Sequence, residues 1–307
     1  MAIVVRRSGM FTTVQDGGRW GYQHFGVPVA GPMDYLSHRL SNHLVGNEAI
    51  AAALEVTLQG PELLFEEDSL FAVTGAVFDL RLDGIVVANG KAILAQAGQL
   101  LDFGARRKGA RAYLAVSGGF DVPIVLGSRS THVTSGMGGV KGRQLKIHDR
   151  LPIGSVEFQK RKLAILRESI RPLPVNGTKV RVIISSSSRV FSDEAIQRFQ
   201  HFRYRVTSSS DRMGYRLEGG PLYVGGMDGL ISTPLPVGAV QVTPGGNPIL
   251  LMADHQTIGG YPSIATVITA DLPQVGQLTV SDWIEFEECS QEEAIQALII
   301  QERRLMD

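Results

Sequence analysis

Three runs of the chain concentrate side chains able to hold or activate a small polar molecule. The first is Thr12-Thr13-Val14-Gln15-Asp16-Gly17-Gly18-Arg19-Trp20-Gly21-Tyr22-Gln23, followed by Gly31-Pro32-Met33-Asp34. A guanidinium is a planar fork that can clamp a carboxylate or carboxyphosphate at two points, and a neighbouring aspartate can orient that ligand or act as its base. Asp16 and Arg19 are therefore candidate catalytic residues, with Gln23 and Asp34 as candidate substrate contacts. The structural alternative is an Asp16 to Arg19 pair that pins one loop.

The second run is Ser210-Asp211-Arg212-Met213-Gly214-Tyr215-Arg216-Leu217. Two arginines exceed what one aspartate neutralises, which favours an anionic ligand or partner and makes Asp211 and Arg212 further catalytic candidates. The third is Met252-Ala253-Asp254-His255-Gln256-Thr257-Ile258-Gly259-Gly260-Tyr261-Pro262. Its paired glycines permit close backbone approach, and Pro262 drives Tyr261 into an extended conformation. Asp254, Gln256 and Tyr261 are candidate substrate contacts, the carboxamide and phenol suiting an amide or ureido group. A buried structural turn is the competing reading.

Such loops need a rigid frame. Most of the chain breaks into segments rich in Val, Ile, Leu and Thr bounded by Gly, Pro, Asn or Asp, among them residues 2–6, 70–74, 78–82, 112–117, 179–185, 249–252 and 266–269. Residues 78–84 alternate apolar with polar and end in Asp83-Gly84, a strand running into a tight hairpin. Helices are few. Asp34 can cap one through about Val45 with Gly46 as its stop, Ser192 can cap a second to Phe202, and Ser290 with Glu293 forms a capping box for a third. The expected fold is mainly β with a few short helices.

The chain has 307 residues, which suggests two domains or an internal duplication. The run Arg171-Pro172-Leu173-Pro174-Val175-Asn176-Gly177 reads as an extended connector, so the domains are drawn at 1–168 and 169–307, with strand exchange between them left open. Asp, Arg and Gly-Tyr recur in the same order around Asp16 and around Asp211, an echo consistent with duplication. Two similar β domains would turn those loops toward one cleft.

Composition removes several classes of function. Hydrophobic residues are 44% and charged residues 20%, the range of a folded globular chain. Lys plus Arg equals Asp plus Glu at 30 each, leaving no basic surplus for a nucleic-acid backbone. No apolar run has the length of a membrane span or signal peptide, so a cytoplasmic protein without membrane contact is expected. The single cysteine, Cys289, allows no internal disulfide and reads as a lone thiol before the last helix. Gly136-Met137-Gly138-Gly139-Val140-Lys141-Gly142 lacks phosphate-loop spacing and reads as a flexible hairpin loop. There is no G-x-S-x-G elbow. The seven histidines are scattered, and His38 and His43 fall on different faces of their helix, so no metal site is expected.

Taken together, several phrases resemble the allophanate hydrolase subunit 2 family, also called KipA or biotin-dependent carboxyltransferase. They are Thr13-Val14-Gln15-Asp16 through Tyr22-Gln23, Gly31-Pro32-Met33-Asp34, Ala53-Leu54-Glu55, Ala72-Val73-Thr74-Gly75-Ala76, Tyr113-Leu114-Ala115-Val116-Ser117-Gly118-Gly119, Leu126-Gly127-Ser128-Arg129-Ser130-Thr131, Asp211-Arg212-Met213-Gly214-Tyr215 and Gly259-Gly260-Tyr261-Pro262. The resemblance implies two cyclophilin-like β-barrel domains. It also implies a role as the C subunit of ATP-dependent 5-oxoprolinase, opening 5-oxo-L-proline to L-glutamate with a B-like (KipI or allophanate hydrolase subunit 1-like) and an A-like (LamB/YcsF-like) subunit. ATP would be a co-substrate of that complex, with no cofactor held tightly by this chain.

Two alternatives come with the same family. One is a carboxyltransferase acting on urea or a related amide with biotin on a separate carrier, and the other is a non-catalytic KipA-like antagonist of a KipI-like kinase inhibitor. The 307 residues leave no room for a biotinyl domain or an ATP-grasp region, which favours the 5-oxoprolinase reading. Ser185-Ser186-Ser187-Ser188 stands where the family usually has a Gly-Pro pair, a departure that points to a changed ligand contact in that loop.

Overall fold

The computed structural model describes residues 2–155, 172–185, 190–223 and 231–306. The 168/169 boundary drawn from sequence and residues 186–188 of the serine run lie outside them. The chain divides into two compact units, one of Met1–Trp20 with Ala30–Leu173 and the other of Gly21–Val29 with Pro174–Asp307.

The first unit contains β1 (Ala2–Arg7), β2 (Phe11–Gln15), α1 (Tyr35–Leu44), β3 (Ala53–Thr57), β4 (Glu62–Phe65), β5 (Ser69–Phe78), β6 (Arg81–Leu82), β7 (Ile85–Val86), β8 (Ala92–Ala95), β9 (Leu100–Asp102), β10 (Arg106–Val116) and β11 (Arg150–Pro152). They form a six-stranded sheet in the order β11-β1-β4-β9-β6-β7 and a five-stranded sheet in the order β2-β3-β10-β5-β8. The predicted hairpin at Asp83-Gly84 joins β6 to β7, although β5 stops at Phe78 and the strand resumes at Arg81.

Alternation along the five-stranded sheet explains its two faces. Val14, Leu54, Val56, Val73, Leu114 and Val116 turn toward Ile3, Val5, Leu63, Phe65 and Leu101 of the other sheet and form one apolar core. The opposite face carries a row of side chains in register, Thr13 beside Glu55, Glu55 beside Tyr113, and Tyr113 beside Thr74. Helix α1 lies over this face. Asp34 caps it as predicted, accepting from Ser37 N at 2.9 Å and Ser37 Oγ at 2.6 Å, and Gly46 takes a left-handed φ of 76° just past its end.

The second unit is built from β12 (Gly177–Ile184), α2 (Asp193–His201), β13 (Tyr204–Val206), β14 (Gly214–Glu218), β15 (Thr233–Pro234), β16 (Ala239–Val242), β17 (Pro248–Leu251), β18 (Ile258–Gly259), β19 (Ser263–Val267), α3 (Leu272–Val275), β20 (Trp283–Glu288) and α4 (Gln291–Met306). Seven strands close a barrel in the order β12-β19-β16-β17-β14-β13-β20, while β15 and β18 pair as a separate ribbon. Closure leaves no hydrogen-bonding edge to the barrel strands. Helix α2, capped by Ser192 as expected, stacks Phe199 on Phe286 of β20 with ring centroids 4.5 Å apart. The capping box of α4 also forms, Glu293 N donating to Ser290 Oγ and Ser290 N to the Glu293 carboxylate. The mainly β fold with few, short helices is thus the one the sequence called for, and among the described residues no helix is long and apolar enough to cross a membrane.

Candidate functional site

Asp16 follows the last residue of β2, so the sheet fixes its position. Its Oδ1 accepts from Ser128 Oγ at 2.6 Å, Ser130 Oγ at 2.6 Å and Gly18 N at 3.0 Å, and its Oδ2 accepts from Arg129 N at 2.5 Å. Arg19 reaches the same loop, Nε donating to Val125 O and Nη2 to Ser130 O, both at 2.9 Å. It is 0% exposed. A guanidinium enclosed by the carbonyls of a packed loop does not present a fork to a small anion. The bidentate ligand clamp expected of Arg19 is therefore corrected, and with Asp16 it fastens residues 125–130.

The glycine run answers to the same packing. A Cβ on Gly138 would stand 2.0 Å from Ser130 O, and one on Gly139 would stand 1.9 Å from Thr131 Oγ1. These glycines allow close approach to a packed loop, and the run turns back on itself, as the hairpin reading expected, through antiparallel bridges between His132 and Met137 and between Val140 and Arg143.

Asp34 is also turned inward. Both carboxylate oxygens serve Ser37, the residue is buried, and its backbone N–H donates to Tyr113 Oη at 2.8 Å. The substrate contact expected of Asp34 gives way to helix capping. Tyr113 in turn donates to Glu55 Oε2 at 2.7 Å, which also accepts from Met33 N at 2.8 Å. Burial, with Glu55 and Asp34 nearby, pushes the Tyr113 phenol well above its ordinary range. His38 donates from Nε2 to Gln15 O at 3.1 Å, and burial lowers its pKa. Sequence reasoning missed this buried group of Glu55, Tyr113 and His38. A signal was available, since Glu55 interrupts an otherwise apolar β segment.

Gln23 begins a 3-10 turn over Gln23–Phe25 and is half-buried, its Oε1 accepting from Gly21 N at 2.9 Å.

In the second unit the second and third candidate runs meet. Arg212 Nε and Nη2 each donate to one oxygen of Asp254, both at 2.9 Å, and both side chains are buried. Asp254 N donates to Arg212 O at 2.8 Å, so backbone and side chains bind the two loops together. Asp211 stays exposed, its Oδ1 accepting from Met213 N and Gly214 N at 2.8 and 3.2 Å. This turn repeats the Asp16 to Gly18 geometry, an aspartate accepting from the amide two residues on.

Gln256 is exposed and Tyr261 is 46% exposed. A residue the sequence reading passed over connects them. Gln241 of β16 donates from Nε2 to Tyr261 O at 2.9 Å, and its Oε1 accepts from Gln256 Nε2 at 3.5 Å. His255 donates from Nδ1 to Gln256 O at 2.7 Å, and burial lowers its pKa. Among the described residues no three His, Cys, Asp or Glu side chains gather so as to hold a metal ion. Of the candidate side chains in these loops, those of Asp211, Gln256 and Tyr261 belong to exposed residues.

Comparison with known proteins gives the class to which this mainly β chain belongs. Residues 25–288 match the family described as carboxyltransferase domain, subdomain A and B, and the chain belongs to that family. It is 42% identical to the C subunit of 5-oxoprolinase from Escherichia coli K12 over 97% of this chain and 94% of that protein. Identity to the corresponding 5-oxoprolinase protein of Haemophilus influenzae, also a C subunit, is 38%, over 92% and 89% of the two chains. Among solved structures, urea amidolyase of K. lactis superposes with a TM-score of 0.93 at 34% identity, covering 99% of this chain and 20% of that one.

Proposed function

We propose that the chain acts as the C subunit of a cytoplasmic, ATP-dependent 5-oxoprolinase complex, in which A-like and B-like subunits join it to hydrolyse 5-oxo-L-proline to L-glutamate. The observation that carries this reading is the end-to-end match with the Escherichia coli protein, 97% of one chain against 94% of the other. The K. lactis urea amidolyase contains this fold as only a fifth of its length.

Within the proposal, exposed Asp211, Gln256 and Tyr261 together with half-buried Gln23 contact the substrate. The Arg212–Asp254 pair holds together the loops that carry Asp211, Gln256 and Tyr261, while Asp16, Arg19 and Asp34 serve the packing of the first unit. Opening a lactam breaks its C–N bond and adds the elements of water, so charge grows on the carbonyl oxygen while the nitrogen must gain a proton. Hydrogen-bonding carboxamides and a phenol suit the recognition of both atoms.

The test is reconstitution. Purified chain, B-like subunit and A-like subunit are mixed with 5-oxoproline and ATP, and glutamate is measured. Release that requires all three proteins and ATP is expected; a stable, soluble three-part complex without turnover would reject the reading. Likeness to the urea amidolyase fold favours a second reading, carboxyl transfer to urea or a related amide with biotin on a separate carrier. Labelled carboxyl transfer from a carboxybiotinylated carrier, without dependence on 5-oxoproline, would select it.

A further inference from the structure

We propose that Gln241 is a positioning residue that sets which way the Gln256 carboxamide faces, and so makes this loop a reader of the N–H of a lactam or ureido group. The inference deepens the proposed function and rests on it for the identity of the substrate.

Strand β16 is buried along its whole length, and Gln241 within it is 1% exposed. A carboxamide so placed is costly unless its polar atoms are bonded. The pairing of β16 with β19 shifts between Val240 and Gln241, so Gln241 lies opposite Ser263, two residues beyond Tyr261. Its Nε2 donates to Tyr261 O at 2.9 Å. A backbone carbonyl can only accept, which leaves no ambiguity in the assignment of this amide: nitrogen faces Tyr261 and oxygen faces away.

The polarity then propagates. Because Gln241 presents its oxygen, Gln256 must present nitrogen to it, and Gln256 Nε2 lies 3.5 Å from Gln241 Oε1. Gly259 brings its backbone against both groups, since a Cβ there would stand 3.1 Å from Gln241 Nε2 and 3.5 Å from Gln256 Nε2. Gln256 is exposed and its carbonyl oxygen takes no part in the contact with Gln241, so an acceptor is left for a ligand at this loop. An outward acceptor selects a donor. A lactam and a urea both carry an N–H beside a carbonyl, whereas an N-methyl lactam offers nothing to it.

The experiment has two readouts. In the whole chain without partners, nitrogen-15 spectra follow the side-chain amide protons of Gln256 in wild type and in Gln241→Met, with melting and backbone exchange at residues 258–262 checking that the fold persists. Faster exchange and a shifted Gln256 signal are expected; an unchanged signal overturns the inference whatever the substrate proves to be. In the reconstituted complex, Gln241→Met and Gln256→Ala should each raise KM for 5-oxoproline about tenfold with kcat within about twofold, matching loss of one ground-state hydrogen bond. Gln241→Glu supplies a proton-dependent rescue, because a protonated carboxyl can donate to Tyr261 O and a carboxylate cannot. Its KM should therefore fall toward wild type as pH is lowered. Wild-type turnover with unaltered KM in all three variants rejects Gln241 and leaves the proposed function standing, while absence of wild-type turnover rejects the function and leaves the spectra to decide the amide relay.

Discussion

Arg212 and Asp254 show how a charge pattern in the sequence changes meaning once its partner is known. Read singly, each is a polar group in a glycine-flanked loop, but together they form two parallel N–H···O bonds out of reach of water. Breaking such a pair strands a buried charge and costs about 3–5 kcal/mol, whereas replacing both members by apolar side chains can be close to neutral. Arg212→Ala is accordingly expected to lower the urea midpoint strongly, and Arg212→Met with Asp254→Leu to restore most of it. Tyr204 offers the opposite sign. Its phenolic oxygen is buried with no hydrogen-bond partner among the described residues, beside Phe199 and Phe286. Removing an unsatisfied buried hydroxyl relieves about 1–3 kcal/mol of desolvation, so Tyr204→Phe should raise the melting temperature. A midpoint below wild type would contradict this.

Local chemistry carries the elements further than it carries the site. The caps at Asp34, Ser192 and Ser290 act within three or four residues, and each was legible because a cap needs only its own helix. The loop of residues 125–142 was not legible, because its conformation answers to Asp16 and Arg19 more than a hundred positions away. Gly139→Ala would place a methyl 1.9 Å from Thr131 Oγ1 at a φ of +50°. An expected cost above about 2 kcal/mol follows from the strain and displacement together, read as a lower denaturant midpoint. Asp34→Ala should cost about 1 kcal/mol by loss of the α1 cap, and Asp34→Ser should recover most of it.

For the whole molecule, two imidazoles whose pKa burial lowers, those of His38 and His255, make stability sensitive to mild acid. Burial holds the folded pKa of His38 and of His255 below the ordinary histidine value of 6.5. As pH falls through that value the unfolded chain takes up protons that the folded chain resists, so stability drops until the folded pKa is passed. Urea midpoints measured from about pH 7.5 to 5 should decline, and His38→Gln should flatten the decline even if it lowers the neutral-pH midpoint. An equal slope in the variant would remove His38 from the explanation.

What the sequence determined by itself was whatever depends on near neighbours and on pattern. That covers the alternating strands, the capped helices, the hairpin at Asp83-Gly84 and the family, whose phrases lie in order along nearly the whole chain. Tertiary structure alone decided which polar residues serve the fold and which face outward. Arg19, Asp34, Arg212 and Asp254 look as reactive in the sequence as Asp211, Gln256 and Tyr261, and only their partners separate the two groups. The reason is that burial and hydrogen-bond satisfaction are properties of pairs brought together by topology. Glu55 meets Tyr113, and Gln241 meets Tyr261 and Gln256, only because strands distant in sequence are neighbours in their sheets or in the closed barrel.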